Sequence, residues 1–171
     1  MDLITRYEHG EFFNEDSIKQ TGEVYHTKLG RDVYGGGGIM PDYFVAEDTT
    51  LFTSYYTEAV STGLVSQFCF EYVDNNRPTL QKYETPEELL RYIKRQNLIE
   101  AFAKYADKHD LRRRNNMIVK SKSLLEHAIY GSIIYNIFEI GDYTEYINRS
   151  DQTVLKAVDL YKKEKTRPTV K

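Results

Sequence analysis

The sequence predicts a mainly α protein. It calls for a helical bundle of about five or six helices from about residue 50 onward, with a small β element near the N-terminus, between residues 22 and 47. Three observations carry this. The hydrophobic period switches near Thr49 from alternating, strand-like runs to helical spacing. A strong helix start stands at Thr85-Pro86-Glu87-Glu88: a hydroxyl at N-cap, proline at N1 and acids in the first turn. The chain has 171 residues, 40% of them hydrophobic, enough for a real core. Two regions follow: a leader and β segment over residues 1–48, and a helical extension over 49–171.

Residues 1 to about 21 are polar and irregular. "EVYHT" and "DVY" read as strands around Lys28-Leu29-Gly30-Arg31, with Gly30 where a hairpin turn needs positive φ. The glycine run Gly35–Gly38 and Pro41 come next, then "DYFVA" with strand character. In the first helical stretch Phe52, Tyr56, Ala59 and Val60 share a face, and Gly63 marks a C-terminal stop. Leu64, Val65, Phe68, Cys69 and Tyr72 continue at helical spacing until Pro78 ends the run. After the Thr85 start, a break is expected near Gln96-Asn97. The longest helix is expected from about Asn116 to Phe138, central to the bundle and ended by Gly141. Ser150 or Asp151 caps a last helix with Val154, Leu155, Val158 and Tyr161 inward.

Composition excludes several classes. The net charge of −3 hides an asymmetry: residues 1–85 carry −8 and residues 86–171 carry +5, which suits the two parts to attract one another or different partners. Arg112-Arg113-Arg114 is the densest basic run, but no aromatic-basic motif of a nucleic-acid module accompanies it, so no nucleic acid is expected. One cysteine, Cys69, excludes an internal disulfide and a cysteine zinc site. No run of about 18 apolar residues provides a membrane span. The start "MDLITRYEHGEFF" has neither a basic nor an apolar leader region and reads as a segment that leaned on something upstream. Fifteen tyrosines and eight phenylalanines, with no tryptophan, suit a core and rim alike.

The motifs favour architecture over chemistry. Four bare residues in a row are entropically costly. A phosphate loop needs Lys-Ser/Thr after its last glycine, and here Ile39-Met40-Pro41-Asp42 follows. A dinucleotide fingerprint needs a helix there, and a strand-like run comes instead. The glycines therefore serve a turn of positive φ or a close approach of backbones. His9, His26, His109 and His127 show no metal-ligand spacing, and only His127 is placed for partial burial. Lys120-Ser121-Lys122-Ser123 tempts as a Ser/Lys dyad but lacks a sharp turn with oxyanion donors. Neither a cofactor nor a metal is called for.

"YHTKLGRDVYGGGGIMPDYFV", residues 25–45, resembles the closing segment of the peptidase core in carboxyl-terminal processing peptidases, the tail-specific serine proteases. The matching positions are Thr27, Gly30, Arg31, Gly35, Gly36, Gly37, Gly38, Ile39, Pro41, Asp42 and Val45. The four-glycine form is similar to the branch found in the envelope of Gram-negative bacteria. There, Tyr-Tyr and Tyr-Val-Asp helices follow, as at Tyr55-Tyr56 and Tyr72-Val73-Asp74 here. The resemblance implies a parent enzyme with a serine nucleophile, a lysine base and a PDZ-like domain for substrate tails. The family's serine and lysine lie upstream of the Gly-Arg segment, so no catalytic residue is expected in this chain. It would be the non-catalytic C-terminal portion, in the periplasm or cell envelope, packing on or completing the core or making a homo-oligomer contact. The alternative is a stand-alone helical protein-binding module. An autonomous enzyme finds least support, since no nucleophile, base and orienting group assemble from the sequence.

Overall fold

The computed structural model describes residues 8, 10, 23–28, 30, 32–35 and 43–165. The chain divides into two compact units, Met1–Asp48 and Thr49–Lys171.

In the first unit, β1 (Val24–His26) and β2 (Asp32–Tyr34) form a two-stranded antiparallel sheet. The register pairs Val24 with Tyr34, Tyr25 with Val33 and His26 with Asp32. Side chains alternate across a strand, so Tyr25 and Val33 share one face. Gly30 turns the chain with φ +77°, as its position requires, and its amide donates to the Thr27 carbonyl at 2.9 Å. Residues 43–46, the described part of "DYFVA", form no strand.

Among the described residues the second unit holds eight helices, more than the five or six expected: α1 (Ser54–Ser61), α2 (Leu64–Leu80), α3 (Pro86–Ile93), α4 (Leu98–Lys108), α5 (Asn115–Lys120), α6 (Lys122–Ile137), α7 (Ile140–Asn148) and α8 (Gln152–Lys165). The extra helices are α5, split off from the expected long helix, and α7, which follows it. Gly63, at φ +76°, separates α1 from α2, as the stop expected there. The expected long helix from residue 116 is divided at Ser121 (φ −96°, ψ 17°). The Ser121 hydroxyl donates to the Met117 carbonyl at 2.8 Å and accepts from Thr53 Oγ1 at 3.1 Å. Such back-bonding to a carbonyl one turn earlier bends helices.

Three boundaries differ from expectation. Pro78 does not end α2 but lies inside it, so α2, with 17 residues, is the longest described helix. The proline removes one bond to the turn before, and the helix runs on because Leu80 is fully buried, a gain of about 1.5–3 kcal/mol. Gly141 does not end α6. Phe138 leaves the helix in extended conformation (ψ −177°), and Gly141 falls within α7. There Asp142 Oδ2 accepts the Glu139 amide at 3.3 Å and closes the start of α7. The α3 start forms as its sequence dictates: Thr85 Oγ1 accepts the Glu88 amide at 3.3 Å.

The core sits among α1–α6. Tyr55, Phe102, Leu80, Leu89, Ile93, Leu125, Ile129, Ile133 and Ile134 are its largest fully buried side chains, together with Leu111 from the loop before α5. Phe102 meets Tyr55 and Phe68 edge-on, with centroids 6.4 and 5.5 Å apart. Leu111 is carried inward by Asp110, a non-glycine residue at φ +66° that ends α4. The Leu111 amide reaches back to the Ala106 carbonyl at 3.0 Å, the Schellman closure. α7 crosses α6 at Gly131, where a methyl group would lie 3.2 Å from Ile147 Cδ1 and 3.3 Å from Tyr146 Cε1. α8 departs from expectation most. Asp151 caps it, with Oδ1 accepting the amides of Thr153 and Val154. Yet Leu155, Val158 and Tyr161 are exposed, not inward.

Candidate functional site

The glycine motif resolves into two jobs. Gly30 supplies a positive φ, with open space around its missing side chain. Gly35 does not have positive φ. Its bareness answers a close approach instead: a Cβ there would stand 2.7 Å from Tyr25 Cε2, while its amide donates to the Glu23 carbonyl at 2.8 Å. The expectation that at least one of Gly35–Gly38 has positive φ is not met at Gly35 itself and otherwise falls on residues outside the described ones. Arg31, Gly36, Gly37, Gly38, Ile39, Pro41 and Asp42 lie outside the described residues. Gly10 of the leader has φ +74°, so a side chain there is more costly than an irregular leader suggests. His26 Nδ1 and Asp32 Oδ1 meet at 2.7 Å across the strand pair, both exposed.

Of the groups that tempt as nucleophiles, Ser121, Ser54 and Cys69 are engaged in structure, while Ser123 is exposed. Ser121 is fully buried, its hydroxyl divided between Thr53 and Met117. Its neighbour Lys120 is exposed, and exposed Lys122 pairs with Glu126 at 3.7 Å. Ser54 accepts from Arg114 at 3.2 Å and sits 3.3 Å from Met117 Sδ. Cys69 donates to the Ile129 carbonyl, and burial pushes its thiol up to about 12, so it stays protonated. His127 is half-buried, as expected, and stacks on Tyr146 at 4.9 Å; burial lowers its pKa. Among the described residues no three metal-ligating side chains cluster. Within the basic run, Arg113 forks both Glu100 oxygens at 2.8 and 2.7 Å while its Nε donates to Asn115. That exposed arginine ties the α4–α5 loop to α4.

What remains is surface, and tyrosine shapes it. A groove of about 320 Å³ lies among α1, α2, α6 and α7, walled by Val60, Val65, Ala128, Tyr135, Tyr143 and Ile147. Tyr135 meets Tyr143 edge-on at 5.4 Å and is exposed, as is Val60. On α2 and α4, the Tyr105 hydroxyl donates to Glu71 at 2.9 Å while its ring stacks on His109 at 4.0 Å. Beside α3, Tyr83 stacks on Tyr92 at 5.2 Å in a groove with Arg91 and Arg95. Tyrosine count signalled such rims, but which tyrosines meet depends on helix crossings that the sequence does not spell out. The arrangement offers recognition surfaces: apolar walls, phenol hydroxyls and fixed charges.

No described helix is long and apolar enough to cross a membrane. The model of a family of unknown function (DUF8443) matches residues 55–139, from the first turn of α1 to the cap of α7. No curated protein matches the chain. No solved structure matches it. The similarity to that family thus falls on the stretch that holds nearly all of the buried core.

Proposed function

We propose that this chain is the non-catalytic C-terminal portion of a serine-type carboxyl-terminal processing peptidase, packing on or completing a peptidase core in the periplasm or cell envelope. The observation that carries the reading is the β1–β2 ribbon with its glycine segment. Residues 25–45 resemble the closing segment of that core. A lone two-stranded ribbon is marginal in water, and this one leaves Val24 50%, Tyr25 53% and Val33 39% exposed. Such a ribbon is suited to extending a larger sheet. The catalytic serine, the lysine and the PDZ-like domain belong to the upstream part of the parent, and the helical unit acts there as a scaffold or assembly surface.

The test is the longer polypeptide read in phase upstream of Met1. It should carry a Ser/Lys pair, react with a fluorophosphonate probe and cleave a disordered protein, while residues 1–171 alone do neither. Labelling of the short chain, lost on Ser123→Ala, would sink the reading. So would an upstream sequence without the pair. A second reading, a stand-alone helical protein-binding module, is favoured by the separate hydrophobic core of unit Thr49–Lys171. In that case the unit folds alone and binds a partner protein without any upstream core.

A further inference from the structure

We infer that the groove beside α3 is a docking site for an acidic, extended segment of a partner polypeptide. The inference concerns the helical unit alone and holds whether or not the peptidase reading does. The observation is an imbalance of local charge. Three of the four carboxylates near the groove are engaged, Glu87 with Arg149, Glu88 Oε2 with the Glu84 amide at 3.2 Å, and Glu126 with Lys122, while that of Glu84 is exposed. The cations are not engaged in this way. Among the described residues Arg91, Lys94 and Arg95 form no ion pair, although Arg91 lies close enough to Glu87 to lower its pKa. All three are exposed around the end of α3.

Shape narrows the occupant. Tyr83, Glu88, Arg91, Tyr92 and Arg95 line a groove of about 420 Å³. Arg95 also lines a second, of about 260 Å³, with Lys94, Gln96, Asn97 and Lys122. Arg95 borders both grooves, so they adjoin as a two-part track along the end of α3 rather than one cradle. An isolated anion needs one cradle, whereas an extended chain uses a track. Guanidinium forks accept carboxylates in bidentate fashion, the amides of Gln96 and Asn97 meet peptide groups, and the tyrosine rings cover the intervening side chain. A nucleic-acid strand fits less well. The Tyr83 and Tyr92 rings stack on each other rather than standing open to bases, and a phosphate backbone demands a long basic stripe in a chain whose net charge is −3.

The experiment measures fluorescence anisotropy of a labelled, glutamate-rich peptide containing one tyrosine, titrated with the full 171-residue chain at low salt. Binding should weaken as salt rises. It should fall by about tenfold in Arg91→Ala/Arg95→Ala, as expected for losing two exposed charge-assisted contacts. Arg77→Ala, removing a cation that pairs with Asp74 on α2, should leave it unchanged, and thermal melts should show all variants folded. Equal binding of the glutamine version of the peptide overturns the proposal. So does indifference to the arginine variants, or no binding at all. Tighter binding of a single-stranded oligonucleotide, lost in the same double variant, overturns it in favour of a nucleic-acid partner.

Discussion

Leu125, Ile129 and Ile133 of α6 and Leu155, Val158 and Tyr161 of α8 follow the same helical spacing. The first three are fully buried; the second three are 44%, 43% and 58% exposed. A period of three to four residues tells which side of a helix is apolar. It does not tell whether another element covers that side. α6 is covered because α2, α4 and α5 converge on it and α7 crosses at Gly131. α8 follows a cap at Asp151 that sets where it begins but supplies no wall. The difference lies in packing, one step above local structure, and it separates residues whose loss costs much from residues whose loss costs little.

The strongest break of the comparison is a cavity in α6. Ile129→Ala should destabilise by about 2–5 kcal/mol in denaturant melts, since its surroundings are close-packed and relax only partly. A loss under about 1 kcal/mol would show that the α6 face is not the centre of the core. Overfilling the α6–α7 crossing comes next. Gly131→Leu drives a branched side chain into Ile147, Tyr146 and Tyr143 and should cost about 1–3 kcal/mol. Gly30→Leu is strained by backbone alone, at φ +77° with open space around it, and should cost about 1–2 kcal/mol to whatever stability β1 and β2 have. That pair distinguishes a glycine required by a neighbour from one required by its own dihedral.

Much of this was legible in the residues. Thr85, Pro86 and the two glutamates announced α3, Gly63 the α1–α2 joint, and Gly30 the hairpin, because each signal is local and chemical. The misses were non-local. Ser121 bends the long helix through its bond to the Met117 carbonyl while Thr53, 68 positions away, donates to the same hydroxyl. Pro78 stays helical because Leu80 is buried by distant partners. Asp110 takes the left-handed position that glycine usually holds, so no glycine marked the end of α4. The candidate surface was less legible still. The +5 charge of residues 86–171 marked that half as basic, but which cations are left over depends on which carboxylates the fold has already engaged.

His127 sharpens the contrast in another direction, through pH. Burial against Tyr146 lowers its pKa below the ordinary 6.5, so the unfolded chain takes up a proton before the folded chain does. The sign follows: stability is unaffected above about 6.5 and falls as pH drops below it, until the folded state also protonates. His127→Phe should flatten that part of the stability–pH curve. An unchanged slope would show that His127 is as wet as a residue on α8. Arg149 ranks lower. It bridges Glu87 of α3 and Glu145 of α7, all three partly solvated, and Arg149→Ala should cost about 0.2–1 kcal/mol, mostly lost at high salt.

The smallest effect is expected where the sequence promised a large one. Leu155→Ser/Val158→Ser removes two apolar side chains at helical spacing, the pattern that in α6 marks the core. Both are more than two-fifths exposed in α8. Little area returns to water on unfolding, and no cavity is left behind, so neither the transfer nor the cavity contribution of a core deletion applies. Serine lowers helix propensity slightly relative to leucine, and valine to serine is nearly neutral. The sum should stay within about 0.5 kcal/mol of the parent, against several kcal/mol for Ile129→Ala. Measuring both in the same denaturant series, with helicity read at a single wavelength, isolates coverage from periodicity. If the α8 double variant instead loses as much as the α6 variant, those side chains are covered in solution, and the contrast between the two helices collapses.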